Sequence, residues 1–420
     1  MNTSDYLIVG SSHAALEAIA AIRLSDPDGS LTVLTRDRHL PYSPTLLPYV
    51  VSGRSAPAKA GLRDAAFFAG QHIRFERGAP VAAVRPEAHE VALEDGTAWH
   101  YGKLLLATGA TPVVPAIAGL DSVRFHRLRT LDDSLALREA IGTARRAVVL
   151  GAGLIGMHAA ENLAEAGVAV TVIEPREQVL PSYFDAEAAA MIAATFAAHG
   201  VVFRTGRSAV AVAPDGAGSR VTLDDGAVLE ADLLLVATGV RADLGYLAGA
   251  AIATDRGILV DARMQTSAPD IWAAGDVAEA PVFPGPGTAL AGILPEAVAQ
   301  GRTAGMAMAG DPALTPYRGS VPRNTYCFFG QSAISVGTGI AGAPPEGADL
   351  VTRRDAVAGS YWRIALKDDH LLGIAAVNLP LDAGILHEMI LRRVDLGAVR
   401  DRFLDQPRAI GRMLMSRQWR

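Results

Sequence analysis

Cysteine is almost absent. Cys327 is the single one among 420 residues, which rules out a disulfide within the chain and any metal cage built on cysteines. Aromatic residues make up only 6% of the chain, yet half of it is hydrophobic and 42 residues are glycine, so its cores must be filled by small aliphatic side chains in closely spaced layers. No apolar run approaches the roughly 20 residues that a membrane-spanning helix needs, and no basic-then-apolar leader opens the sequence. A cytoplasmic location without membrane attachment is therefore expected. A positive surplus is also missing: the formal net charge is −6, which offers no general attraction to nucleic acid. His39, His126, His158 and His199 show no ligand spacing, so no metal site is expected. The length suits two or three domains.

Residues 147–174, AVVLGAGLIGMHAAENLAEAGVAVTVIE, carry a complete nucleotide-binding pattern. Ala147 to Leu150 reads as a buried parallel strand. Gly151-x-Gly153-x-x-Gly156 follows, then a helix ended by Gly167 and a second buried strand from Val168 to Ile173. Gly151 permits the tight turn, Gly153 lets the backbone approach a pyrophosphate, and Gly156 lets helix and strand pack closely. The helix start, with Leu154 and Ile155, offers free N–H groups and a positive dipole end. Glu174 closes the second strand, where a carboxylate accepts hydrogen bonds from an adenosine ribose and repels a 2′-phosphate. NAD is expected over NADP, with Arg176 the one opposing feature.

A poorer version of the pattern opens the chain. Tyr6 to Val9 reads as a strand, Gly10-Ser11-Ser12-His13-Ala14-Ala15 as the turn, and a helix runs to about Leu24. Ser12 and Ala15 stand where glycines are usual, but both are small enough for close backbone approach. The second strand, Leu31 to Leu34, is followed by Thr35, Arg36 and a displaced acid, Asp37. A plain βαβ unit without ligand is the alternative reading of this stretch taken alone.

An internal repeat argues for a ligand in both copies. Leu104 to Leu106 leads into Ala107-Thr108-Gly109, and Leu233 leads through an apolar run to Thr238-Gly239. Each strand follows an acidic-Gly turn, Asp95-Gly96 and Asp225-Gly226. Two nucleotide turns, each continued by a hairpin and a closing strand, mean two dinucleotides. Ile271 to Ala274 then brings Gly275-Asp276 to another strand end.

These motifs together resemble the two-dinucleotide flavoproteins related to disulfide reductases, NADH oxidases and ferredoxin reductases, over roughly residues 5–340. The resemblance implies FAD in the first unit and NAD in the second. It places Gly10, Ser12, His13, Ala14 and Ala15 against the FAD pyrophosphate, with His13 contributing backbone contacts, and Arg36 and Asp37 near the adenosine ribose. Ala107, Thr108 and Gly109 would lie at the FAD strand end. Gly275 and Asp276 would hold the ribityl chain or pyrophosphate, and Pro44, Val81 and Leu294 would be further FAD contacts. On the NAD side it implies Gly151, Gly153, Leu154, Ile155, Gly156, Glu174, Thr238 and Gly239. The helix opened by Leu294-Pro295-Glu296 would point its dipole at the flavin and stabilise the reduced form, a surface helix being the alternative. Glu161 would lie near the nicotinamide, or else be merely solvated.

In the thiol-using branches of this family a redox cysteine stands three residues before the proline of a stretch such as PYSPTLLPY at 41–49. Thr45 holds that place here, and a threonine forms neither a thiolate nor a disulfide. Electrons must therefore leave the flavin for something outside the chain. PYSPTLLPYVVSG at 41–53, the opening 23 residues and NTYCFFGQSAISVG at 324–337 resemble more closely the NAD-reducing FAD subunits of 2-oxoacid oxidoreductase complexes. That resemblance implies an iron–sulfur, ferredoxin-like partner subunit and thiamine-diphosphate-containing 2-oxoacid oxidoreductase subunits. A stand-alone NADH-dependent ferredoxin or rubredoxin reductase and a non-catalytic flavoprotein scaffold are the alternatives.

The expected fold is α/β: two Rossmann-like dinucleotide-binding domains, the second inserted in the first, plus a C-terminal α+β domain. The FAD domain would comprise residues 1–114 and 244–314, the NAD domain 115–243, and a C-terminal interface domain 315–420. In the last, Ala333 to Val336, Tyr361 to Leu366 and Leu371 to Val377 read as strands. Cys327, beside Phe328 and Phe329, is expected to be a buried small hydrophobe. The Arg-rich tail (Arg392, Arg393, Arg400, Arg402, Arg408, Arg412, Arg417, Arg420) would either dock an acidic electron-transfer partner or form a solvated helical face.

Overall fold

The computed structural model describes residues 2–418. Two compact units emerge: the chain up to Leu47 with Ser55–Thr111 and Val240–Ser320, and Pro48–Arg54 with Pro112–Gly239 and the chain from Val321.

In the first unit the apolar runs form the centre of a seven-stranded sheet. Its order is Ile73–Arg77, Leu31–Thr35, Asn2–Val9, Ala98–Leu106, Glu90–Leu93, Val81–Arg85, and Ile271–Ala273 also pairs with Ala98–Leu106. The pairings among the first four strands are parallel, and the Val81–Arg85 and Glu90–Leu93 hairpin is antiparallel. Ala98–Leu106 serves both arrangements: its first half takes the hairpin strand, and Leu104 to Leu106 take Ile271 to Ala273. Leu7, Ile8, Val33, Leu104, Leu105 and Leu106 are fully buried, as a sheet covered on both faces requires. The strand order reverses at Asn2–Val9, the position where open parallel sheets leave a crevice at their carboxyl ends.

Two helices of this unit approach unusually closely. His13–Ser25 lies against Leu294–Ala309, and a Cβ added at Gly301 would sit 2.2 Å from the Ala14 carbonyl oxygen. One added at Gly305 would be 2.5 Å from that of Ala18. Gly301→Leu is therefore expected to force the helices apart and lower the unfolding free energy by about 3 kcal/mol. Urea melts with unchanged midpoint and slope would refute this.

In the second unit, a four-stranded parallel sheet runs Val202–Thr205, Ala169–Glu174, Arg146–Leu150, Leu233–Val236. The helix Leu154–Glu165 connects the two middle strands, as the glycine pattern requires. A three-stranded antiparallel sheet, Ala209–Asp215, Gly218–Leu223 and Val228–Ala231, feeds the strand Leu233–Val236. The repeat is thus realised as strand, helix, strand, antiparallel hairpin and closing strand in both units. Gly96 (φ +85°) and Gly226 (φ +83°) take the left-handed conformation that their turns need.

Residues beyond Val321 form a five-stranded antiparallel sheet ordered Arg323–Phe328, Gln331–Gly337, His370–Val377, Ser360–Lys367, Asp349–Asp355, followed by helices Ala383–Leu391, Arg400–Asp405 and Pro407–Gln418. The inserted and C-terminal segments each close their own sheets, and we propose on that ground that they are separate domains, as the division at 115–243 and 315–420 expects. Asp185 is buried between them, accepting from the Ala188 N–H (3.0 Å), Arg363 Nη1 (2.7 Å) and the Tyr361 hydroxyl.

One expectation fails here. Cys327 is exposed, because alternation along Arg323–Phe328 turns Tyr326 and Phe328 inward and leaves the residue between them facing out. The basic tail carries much of its own counter-charge. Arg392 pairs with Glu388, Arg400 with Asp349 and Asp369, and both Arg408 and Arg412 with Asp382. The side chain of Arg417 and all of Arg420 lie outside the described residues.

Candidate functional site

In the first unit the expected FAD residues collect at the carboxyl ends of the central strands. Gly10 adopts φ +112°, donates its N–H to the Leu34 carbonyl (2.8 Å), and passes so close to Ala107 that an added Cβ would meet its oxygen at 2.1 Å. The helix that follows has Ser12 as N-cap residue but no side-chain cap, so its first N–H groups are not taken by the Ser12 hydroxyl. Ala14 and Ala15 are buried behind it. Gly109 (φ +72°) and Gly275 (φ +82°) turn the chain at neighbouring strand ends, and Thr108 Oγ1 lies 3.0 Å from the Tyr246 hydroxyl. Gly275 meets the helix pair directly: a Cβ on it would be 3.3 Å from the Ala14 Cβ and 3.8 Å from that of Ala297. Leu294 starts the second helix at that same end, and Asp276 is half-buried in the adjoining turn.

His13 does more than lend its backbone. Its Nε2 lies 3.0 Å from Ser43 Oγ, which lies 2.8 Å from Thr45 Oγ1. Burial holds the imidazole below its usual range, opposed by the charges of Glu17 and Asp276. Pro44 opens a short 3-10 turn inside this trio, and Val81 starts the hairpin. Arg36 and Asp37 follow the second strand. Asp37 accepts from the His39 N–H (2.9 Å) and the Tyr42 hydroxyl (2.7 Å), and Arg36 lies 3.9 Å from Asp243 with both side chains more than half exposed.

The second unit holds the NAD pattern. Gly151 turns at φ +104°, and a Cβ on Gly156 would meet the Gly151 carbonyl oxygen at 2.0 Å, so the helix rests directly on the turn. Gly153 is different: a Cβ there would find nothing within 4 Å. That open space, over a helix start with no side-chain cap, is a cradle that fits a pyrophosphate. Leu154 begins the helix, and Ile155 is 41% exposed on the same first turn. Glu174 is buried, its Oε2 accepting from the Ala152 N–H (2.8 Å) and its Oε1 from the Arg176 N–H (3.0 Å). The acid is thus locked to the glycine turn that it serves. Thr238 donates to the Val113 carbonyl (2.8 Å), and Gly239 (φ +111°) has open space around it.

Glu161 is not solvated. It is buried and accepts the Phe329 N–H at 2.8 Å, and burial raises its carboxyl above the usual range. Around it, His158 packs edge-on to Tyr326 and His199 stacks on Phe329. His158 is pushed down to about 4 by burial and by the nearby Arg54 charge. Its folded value lies below the unfolded value of about 6.5, so the unfolded chain binds the extra proton first as pH falls. Stability is expected to drop progressively from pH 6.5 to 4, by up to about 3 kcal/mol. His158→Gln should flatten that part of the profile, as read by urea melts at graded pH. A slope equal to the parent's would remove His158 from the account.

Tyr317 carries no periodic or spacing signal, and Ser43 and Glu296 stand inside the stretches at 41–49 and 294–296 with nothing local to mark a role of their own. Gln300 accepts the Gly275 N–H through Oε1 (2.9 Å).

Residues 4–301 match the model of the pyridine nucleotide-disulphide oxidoreductase family. The chain is 52% identical to the epsilon subunit of NADH-dependent phenylglyoxylate dehydrogenase from Aromatoleum evansii, over 99% of this chain and 98% of that one. It is 30% identical to a probable ferredoxin reductase of Castellaniella defragrans, over 94% and 95% of the two chains. A crystal structure of a ferredoxin reductase from Rhodopseudomonas palustris superposes with a TM-score of 0.80 at 28% identity, covering 90% and 91%.

Proposed function

This chain belongs to the pyridine nucleotide-disulphide oxidoreductase family, as an NAD-dependent oxidoreductase using FAD and NAD(H), and we propose that it is the NAD+-reducing FAD subunit of a 2-oxoacid oxidoreductase complex. The oxoacid is phenylglyoxylate. Its conversion to benzoyl-CoA and CO2 takes place on thiamine-diphosphate-containing subunits, and electrons reach this chain from an iron–sulfur, ferredoxin-like subunit. The observation that carries this reading is the 52% identity along practically the whole of both chains.

When bound, FAD supplies the means to take electrons singly and to give two together as hydride to NAD+. The chain's own residues bind and orient. The Gly10 turn and uncapped His13–Ser25 helix offer backbone donors for the FAD pyrophosphate, with Gly275 and Asp276 at the adjoining strand end. Gly153 leaves room for the NAD pyrophosphate, and Glu174 presents a carboxylate to the ribose. Thr45 bonds to Ser43 where thiol-using relatives carry the redox cysteine, and the one cysteine, Cys327, is at an exposed position of an edge strand. No protein thiol in the chain relays the electrons onward.

Two measurements test the reading. The purified chain should be yellow and should bleach anaerobically with NADH far better than with NADPH. From a host grown on an aromatic oxoacid precursor, it should co-purify with iron–sulfur and thiamine-containing chains. A yellow, NADH-reducible protein that purifies alone and serves a free ferredoxin would instead support a stand-alone reductase, the reading favoured by the similarity to the Castellaniella protein. A colourless protein would sink both.

A further inference from the structure

The first turn of the Leu294–Ala309 helix opens beside the Gly10 turn and Gly275, since Ala297, Ala14 and Gly275 converge there. This is the carboxyl end of the central strands, where a parallel sheet binds its dinucleotide. A helix start aimed at such a site carries a positive partial charge that favours an electron-rich, reduced flavin. Such a bias makes the flavin a better acceptor and a poorer donor to NAD+.

Glu296 opposes it. It stands third in the helix and is 4% exposed. Its carboxylate accepts from the Tyr317 hydroxyl, which also lies 3.5 Å from Gln300 Nε2. Gln300, itself buried, holds the Gly275 N–H at 2.9 Å. Carboxylate, phenol and amide thus form a buried chain ending on the strand-end turn. Burial and the Glu296 charge push the Tyr317 phenol far above its usual range. A buried carboxylate is costly compared with an exposed one, and in a low-dielectric setting its field reaches further. An exposed glutamate would serve the helix start equally well, so burial here points to a role beyond capping.

We propose that Glu296 is a positioning residue whose negative charge, held through Tyr317 and Gln300 beside the Gly275 turn, biases the flavin toward its oxidised state and so toward giving electrons to NAD+. This rests on the FAD reading of the first unit.

The test uses the full chain with FAD bound, equilibrated anaerobically with NADH and NAD+ at graded ratios. NADH delivers one hydride, carrying two electrons, and leaves as NAD+, and the flavin absorbance reports the balance. In Glu296→Gln the reduced-to-oxidised ratio at a given NADH/NAD+ is expected to rise about tenfold, about 30 mV for a two-electron couple. Glu296→Asp keeps the charge and should stay within about twofold of the parent. A Glu296→Gln ratio equal to the parent's, or an equal shift in Glu296→Asp, overturns the proposal. Should Glu296→Gln fail to hold FAD, Gln300→Glu decides. It adds a carboxylate to the same chain and should move the ratio about tenfold the other way, and no movement overturns the proposal. A colourless parent would remove the FAD reading itself, whereas a parent that bleaches beside unmoved variants removes only the role of Glu296.

Discussion

With valine in place of Gly156, NADH is expected to reduce the bound flavin at least about a hundredfold more slowly, while dithionite still bleaches it fully. The first carbon of any side chain at this position would lie 2.0 Å from the Gly151 carbonyl oxygen and 3.0 Å from its carbon. Both are backbone atoms and neither has a rotamer to yield. The start of the Leu154–Glu165 helix must therefore lift from the turn, taking with it the N–H groups expected to hold the pyrophosphate. A displacement near 1 Å is enough to cost about two orders of magnitude in a reaction that depends on alignment. The FAD turn uses other residues in the other unit, so the colour of the protein should survive. Stopped-flow reduction by NADH and by dithionite separates the two effects, and parent-like NADH rates would show that the helix does not need this contact.

Glu174→Ala should weaken NADH binding by about a hundredfold and narrow the preference over NADPH. Two consequences combine. The side chain accepts the Ala152 and Arg176 N–H groups, and its removal strands the buried Ala152 donor, while the Arg176 N–H lies on an exposed residue that water can reach. That unmet donor costs about 1–3 kcal/mol, and part of it is released as disorder in the glycine turn. The repulsion between carboxylate and 2′-phosphate also disappears, so NADPH loses less than NADH. The ratio of kcat/KM for the two nucleotides is the measurement. A variant that loses both equally would leave Glu174 as a brace for the turn, with no part in choosing the nucleotide.

Much of the architecture was legible because its signals are local. The buried parallel strands are unbroken apolar runs, and the glycine turns sit where φ is positive or where backbones touch. The first and last strands of the C-terminal sheet were not legible. Asp349–Asp355 carries four charged residues in seven, and Arg323–Phe328 alternates in a way that adjacent aromatic residues conceal. That concealment also misplaced Cys327, whose neighbours face the core while it does not. The Tyr42 hydroxyl and the His39 N–H that hold Asp37 were not legible either, because spacing along the chain does not show which donors the fold brings to a carboxylate.

The sequence by itself determined that the chain carries two nucleotide-binding turns, a carboxylate suited to NAD and no thiol relay, because each depends on residue types at short, fixed spacing. The tertiary structure alone decided which charges are spent inside the fold. Glu161 reaches Phe329 across 168 positions, Tyr317 reaches Glu296 across 21, and the arginines of the tail meet acids on other elements. Such pairings follow the path of the chain in space, and a buried polar group takes whatever partner that path brings within hydrogen-bonding distance.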